Sequence, residues 1–324
     1  MKSRRLLFGA LLLAAMLASR GRAEPWTLTL RVENDMPANS DRYYSNGLSA
    51  TFAQCIPEDK FRWPGLLPAV GLDNPGRLSR GFTVGQVMVT PTDIRLLVPD
   101  PRDRPYSGLL FAGIVWQRFG ERHLTAFKLI TGMVGPASLA EQTQRAWHRA
   151  IDVELPRGWE YQLRNEPILN LVWERRWRIC QRGEAGGWGG DALLIGGGML
   201  GNVLTQAYAQ LQVRAGWRVP HDYGTSLIRG IGATPPARDL APWGLHGFAG
   251  IGGLGVARNL TLDGNTFRDS PSVSKFPWVP AAEAGLVWRA RAWQVTASWV
   301  AWGREFAGQM RHSEFGTLAI SIIH

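Results

Sequence analysis

From residue 26 the chain alternates. Trp26, Leu28, Leu30 and Val32 fall on one face and Thr27, Thr29, Arg31 and Glu33 on the other, the period of two that marks a strand with one apolar and one polar side. The pattern returns in Ala207–Ala215, in Trp293–Trp299 and in Thr317–Ile322. Each belongs to a segment near the length a tilted strand needs to cross the hydrocarbon of a bilayer. The polar face carries Arg31, Glu33, Gln210, Gln212 and Arg214, which suits a wet lumen better than a second packed layer. Twelve such strands are predicted, over 26–34, 44–54, 80–90, 108–118, 122–133, 169–180, 190–200, 206–219, 243–257, 279–290, 293–304 and 314–323. An even count returns both ends of the chain to the periplasmic side. The predicted fold is therefore all-β: an antiparallel 12-stranded transmembrane β-barrel over 24–324, with a short helix in an extracellular loop.

That helix is read from Ser138-Leu139-Ala140-Glu141, an [ST]xxE capping box behind Gly135-Pro136. It should run to about Ile151, pair Glu141 with Arg145 one turn on, and end before Pro156. The gaps 91–107, 134–168 and 258–278 are long and fall on the outer side. The gaps 55–79 and 220–242 are also long but fall on the periplasmic side, where barrels usually make short turns.

Composition supports an exported membrane protein. The 15 tryptophans suit a wet–apolar boundary, and with the 38 glycines they are many for a soluble enzyme. Lys2, Arg4 and Arg5 precede an apolar run from Leu6 to Leu17, with Gly21 and Ala23 behind it: a secretory signal over 1–23, cleaved near Ala23–Glu24. Beyond residue 23 no apolar stretch approaches the length of a transmembrane helix. Without the five basic residues of the signal, 31 basic residues face 26 acidic ones, a net of +5. That modest excess suits an anionic surface such as lipopolysaccharide. No basic run interleaved with aromatics points to nucleic acid, and no feature points to an obligate protein partner. Cys55 and Cys180 end separate predicted strands and read as unpaired thiols, and the six histidines show no zinc spacing.

The candidate chemistry lies at Asn34, Asp35, Ser45, His148 and Glu154. Asn34 puts an amide where the apolar face of the first strand should continue. Ser45 opens the next strand, which a hairpin brings alongside. Amide, carboxylate and hydroxyl oxygens are hard donors suited to Ca²⁺. His148 is the natural general base near neutral pH, with Glu154 six residues on to orient it or stabilise its charge. Read as residues alone, the same positions also fit a loop-edge pair, an ordinary surface histidine and a turn serine.

Longer blocks add a resemblance. Glu33-Asn34-Asp35, Tyr44-Ser45-Asn46-Gly47, Asp103-Arg104-Pro105-Tyr106-Ser107-Gly108, Gly135-Pro136 and Glu141-Gln142…Trp147-His148-Arg149 occur in order. Gly158-Trp159…Gln162-Leu163…Asn165-Glu166-Pro167 and Leu262-Asp263-Gly264-Asn265-Thr266-Phe267 follow. Together they resemble the lipid A 3'-O-deacylases of Gram-negative outer membranes. The resemblance implies a hydrolase that removes the 3'-linked acyloxyacyl group of lipid A, at a Ca²⁺-dependent site between the outer wall and the loop helix, on the outer-leaflet side. It puts the metal at Asn34 and Asp35, the strand-two hydroxyl at Ser45, and the helix histidine and following carboxylate at His148 and Glu154. Arg95, Arg104 and Arg149 are candidates for holding the lipid phosphates or core sugars, and equally read as solvated loop charges. Asn34 continues the lipid-facing register, whereas Ser45 points inward unless its strand bulges. The rival readings are a non-enzymatic small porin or lipid-binding barrel and, with no GxSxG present, a serine esterase.

Overall fold

The computed structural model describes residues 24–35, 43–61, 65–72, 75–183, 186–225 and 243–324, the side chains at 43–45, 58 and 66–67 excepted. The expected export signal lies outside the described residues, as does most of the first outer loop. The alternating segments form β1 (Trp26–Asn34), β2 (Tyr43–Cys55), β3 (Arg77–Thr90), β4 (Ser107–Phe119), β5 (His123–Val134) and β6 (Glu166–Gly183). They continue as β7 (Trp188–Gly201), β8 (Leu204–Trp217), β9 (Trp243–Asn259), β10 (Trp278–Ala290), β11 (Trp293–Trp302) and β12 (Ser313–Ile323). Each strand pairs antiparallel with its sequence neighbour, and β1 pairs with β12 to close the barrel. All twelve predicted strands are present. The largest departures are three residues, at both ends of β6 and at the start of β3.

Both faces follow the pattern. Leu30, Val32, Phe82, Val84, Leu211 and Val213 are exposed outward, while Thr27, Thr29, Glu33, Gln210, Gln212 and Arg214 are buried in the lumen. At the periplasmic rim Trp188, Trp217 and Trp243 stand side by side, with ring centroids 6.0 Å apart in each successive pair. This is the aromatic belt of a membrane interface. No described helix is long and apolar enough to cross a membrane. Cys55 is buried and Cys180 exposed, and neither forms a disulfide.

The two long periplasmic connections have structural roles that local pattern does not reveal. Residues 220–225, after β8, turn up into the barrel. Arg214 bonds the Asp222 carboxylate, Arg176 donates to the carbonyls of Tyr223 and Gly224 (3.0 and 2.7 Å), and the Tyr223 hydroxyl reaches Gly120 O at 2.6 Å. Thr225 and Gln212 both donate to Glu283. The lumen is thus plugged from below by charge-assisted hydrogen bonds. Arg214 is its hub, bridging Asp222 and, at 2.6 Å, Asp191. Arg214→Met would leave two buried carboxylates without that cation, at a cost of about 3–5 kcal/mol. A lower urea midpoint for barrel unfolding is the expected result.

The other long connection, between β2 and β3, contains the short helix α1 (Leu66–Ala69) and lies against the outside of the wall. Leu72 is fully buried, in a cluster with Phe61, Leu78 and the outward-facing Trp116. The outward Arg118 and Arg175 donate to carbonyls of this segment, at Leu72 (2.9 Å) and Gly71 (3.3 Å), so their charges are covered rather than set against lipid.

Candidate active site

The pairing register lays four residues in a row around the outer wall near the extracellular rim. Asn34 of β1 is opposite Asn46 of β2, Asn46 is opposite Met88 of β3, and Met88 is opposite Gly108 of β4. All four lie on the outward face. Residues directly opposite on antiparallel strands hold their Cβ atoms about 5 Å apart, so the Asn34 and Asn46 amides form an adjacent pair. The buried Asp35 follows at the end of β1. Between Tyr43 and Asn46 the β2–β3 register shifts, with one more residue on β2 than on β3. This is a bulge at the point where an outward Ser45 requires one. The Ser45 side chain lies outside the described residues.

Over this row sits α2 (Ala140–Ala150), packed on β3 and β4. Its buried face is Ala140, Gln144 and His148, positions one turn apart. Gly108 makes the approach possible. A Cβ there would stand 2.2 Å from Ser138 Oγ and 2.3 Å from Ala140 Cβ. Gln86, outward on β3, donates to Ser138 O at 2.6 Å and fixes the start of the segment.

The helix start differs from the capping box expected at Ser138. Pro136–Ser138 forms a separate 3₁₀ turn, and Leu139, in the left-handed region (φ 60°), is the N-cap. Ser138 Oγ accepts from the Ala140 amide at 3.4 Å, but from one residue before the N-cap, and the N-cap Leu139 supplies no side-chain bond. Proline at the head of the 3₁₀ turn and the close seat on Gly108 take precedence over the local capping preference. Gly135, at φ +91°, supplies the preceding bend, where a side chain would strike the backbone at Arg164. The expected Glu141–Arg145 pair is present at 2.8 Å.

His148 is 5 % exposed, and its Nδ1–H donates to the main-chain carbonyl of Glu154 at 2.5 Å. A carbonyl only accepts, so the neutral imidazole carries its proton on Nδ1 and its basic lone pair on Nε2. His148 O also accepts from the Val153 amide, at 3.0 Å. Glu154 is expected to orient the imidazole or to stabilise its charge, and its contact with Nδ1 is through the main-chain carbonyl. The Glu154 side chain is exposed and acts electrostatically on Arg95.

Beyond the helix, Trp159 is fully buried, donates to Gln144 Oε1 at 2.7 Å and packs on Tyr106 with centroids 4.8 Å apart. Met88, Ile94, Tyr106, Ala140 and Trp159 form one apolar cluster behind the helix. Asn46, Gln144 and Gln86 escaped sequence reading. Asn46 could have been found from its motif and its even position, whereas the other two depend on partners more than 14 residues away in sequence.

The three candidate arginines separate. Arg95 is exposed and forks onto Asp93 at 2.8 and 2.9 Å. Those hydrogen bonds hold the Asp93 carboxyl at about 2. Arg149 is exposed in the last turn of α2. Arg104 does not fit the expected phosphate-binding role. It is 2 % exposed and bonds Glu305 and Thr261, each at 3.1 Å, at the mouth of the lumen.

Other motif blocks hold the outer loops together. Glu166 accepts from Asn202, Asn265 and Thr266. Asn265 exchanges hydrogen bonds with the backbone of Arg164, and Asp103 accepts from the Thr92 and Arg104 amides.

With this geometry in hand, a family model described as "Outer membrane protein LpxR" matches residues 6–324. The chain belongs to the LpxR family. Among solved structures it is similar to LpxR from Salmonella typhimurium, with a TM-score of 0.76, 17% sequence identity and coverage of 91% of this chain and 99% of that one. It is also similar, at a TM-score of 0.44 and 11% identity, to the beta domain of the Bordetella autotransporter BrkA, covering 92% and 98% of the two chains. No curated protein sequence matches the chain. Membership in the LpxR family makes this an outer-membrane lipid A 3'-O-deacylase, a hydrolase acting on lipopolysaccharide at the outer leaflet. The family also links it to calcium. Among the described residues no group of three or more His, Cys, Asp or Glu forms a metal site.

Proposed function

We propose that the 3'-ester of lipid A is hydrolysed on the outer wall, with His148 as general base. The observation that carries this reading is the Nδ1–H bond to Glu154 O, which puts the lone pair of a buried imidazole on Nε2. Nε2 takes a proton from water as the hydroxide attacks the ester carbonyl. When the tetrahedral intermediate collapses, the C–O bond to the sugar breaks, the sugar oxygen receives the proton from the imidazolium, and the acyloxyacyl chain leaves as a carboxylic acid. Asn34 and Asp35 supply hard oxygens at the end of β1, beside Asn46, and this donor set fits Ca²⁺. Bound there, the cation supplies electrostatic stabilisation of the developing oxyanion. Ser45, on β2 beside the bulge, is proposed as a further catalytic residue. Arg149 and Arg95, exposed at the helix and loop rim, are assigned to the lipid phosphates. Glu154 acts through its carbonyl.

The plugged lumen favours this reading over a porin. Mass spectrometry of purified lipid A after incubation with refolded protein tests it. Loss of the 3'-acyloxyacyl mass with Ca²⁺, and none with chelator, is the expected result; an unchanged lipid from folded barrel would overturn it. Asp35→Asn removes one ligand charge and should raise the Ca²⁺ concentration for half-maximal activity by about tenfold or more. A calcium titration of the deacylation rate measures that shift.

A further inference from the structure

On the periplasmic half of the wall, strand register lays a second outward row. Trp26 of β1 is opposite Gln54 of β2, Gln54 is opposite Arg80 of β3, and Arg80 is opposite Trp116 of β4. Trp116 is in turn opposite Phe127 of β5, and Phe127 opposite Trp173 of β6. Aromatic side chains gathered along a barrel wall mark the head-group depth of a leaflet. Gln54 and Arg80 are the two polar members of this row. Arg80, Arg118 and Arg175 all face outward in the sector. Arg118 donates to the carbonyls of Leu72 and Gly76 (2.9 and 3.1 Å), and Arg175 to Gly71 O and Thr125 Oγ1 (3.3 and 2.9 Å). Arg80 is exposed, and among the described residues no carboxylate or carbonyl receives its guanidinium. That group lies over the Phe82 ring instead, 5.3 Å from its centre.

The β2–β3 connection decides where that charge can go. The outward residue below Arg80 is Leu78, buried with Phe61, Leu72 and Trp116. This apolar step lies between Arg80 and the periplasm, so the side chain cannot snorkel straight down to water. It packs the other way, over Phe82, two residues nearer the centre of the membrane. A cation held within a leaflet needs an anion. At head-group depth that anion is a lipid phosphate, which the planar guanidinium binds through two parallel hydrogen bonds. We propose that Arg80 and Gln54 hold the phosphate of a glycerophospholipid in the periplasmic leaflet, whose acyl chains lie up the wall over Phe52, Phe82 and Val84. Opposing Cβ atoms are about 5 Å apart, so the Gln54 amide and the guanidinium can share one phosphate. Phe52 is directly opposite Phe82, and Phe82 and Val84 are exposed. Ala50 and Ala112, on either side of Val84, leave a shallow groove along each flank. The site faces the leaflet opposite to His148 and does not depend on the hydrolytic reading.

The test is native mass spectrometry of the full chain released from detergent and titrated with dioleoylphosphatidylglycerol. One equivalent should be retained saturably, and dioleoylphosphatidylethanolamine should be retained as well, since both present a phosphodiester. Arg80→Gln should weaken that equivalent by about tenfold. Arg304→Gln removes another exposed arginine seated over a phenylalanine ring, but in an outer loop, and should leave it unchanged. No saturable equivalent, or equal retention by folded Arg80→Gln, overturns the proposal. Displacement by excess inorganic phosphate alone overturns the assignment to a lipid. If Arg80→Gln does not fold, equal retention by the native chain of dioleoylglycerol, which lacks the phosphate, overturns it instead.

Discussion

His148→Ala should lower lipid A deacylation by about three orders of magnitude, within the range for loss of a positioned general base, while the barrel still folds. The imidazole is buried against the outer wall, on a helix that contributes no strand to the sheet. Removing it deletes the hydrogen bond to Glu154 O and leaves the twelve-stranded closure untouched. Folding is read as the heat-dependent shift of the barrel on a gel, and turnover by mass spectrometry of the lipid. Glu154→Gln is the informative partner. Because the orienting contact is a main-chain carbonyl, this variant should keep most of the activity. Equal collapse of both variants would return the orienting role to the carboxylate.

The second large effect is expected at a residue that touches no substrate. Gly108→Val places a Cβ where Ser138 Oγ and Ala140 Cβ already lie at 2.2 and 2.3 Å. The first turn of α2 must lift from the wall, and His148, two turns further along the same face, moves with it. A displacement of about 1 Å at a reacting group costs about a hundredfold in rate, and a loss of at least that size is expected. Gly108 is at the start of β4, so the barrel should assemble as before, read on the same gel. Wild-type turnover by folded Gly108→Val would mean that the seat of the helix is irrelevant to the chemistry.

The strands were legible because each must satisfy the same solvent on the same side. Lipid outside and polar groups inside impose the period of two on Trp26–Val32 as on Thr317–Ile322, so the signal repeats twelve times. The plug and the outer collar carried no such signal. Tyr223 and Leu72 are buried by residues some 100 and 46 positions away, Gly120 and Arg118, and their own segments read only as loop. Arg104 failed as a phosphate ligand for the same reason: its partner, Glu305, is 201 residues distant. The candidate site was legible only in its parts, as an amide ending an apolar face and a histidine on a helix. The row Asn34–Asn46–Met88–Gly108 emerged only from strand register.

The proposed placement of His148 on the outside of a barrel closed within has a kinetic consequence: the substrate need not be extracted from its leaflet. Enzyme and lipid meet by lateral diffusion in a plane, and the governing quantity is the mole fraction of lipid A in that leaflet, not its concentration in bulk solution. Diluting lipid A with inert lipid should therefore slow the reaction, while diluting the whole suspension with buffer should not. In the cell, the packing of neighbouring lipopolysaccharide around the barrel becomes a control on turnover.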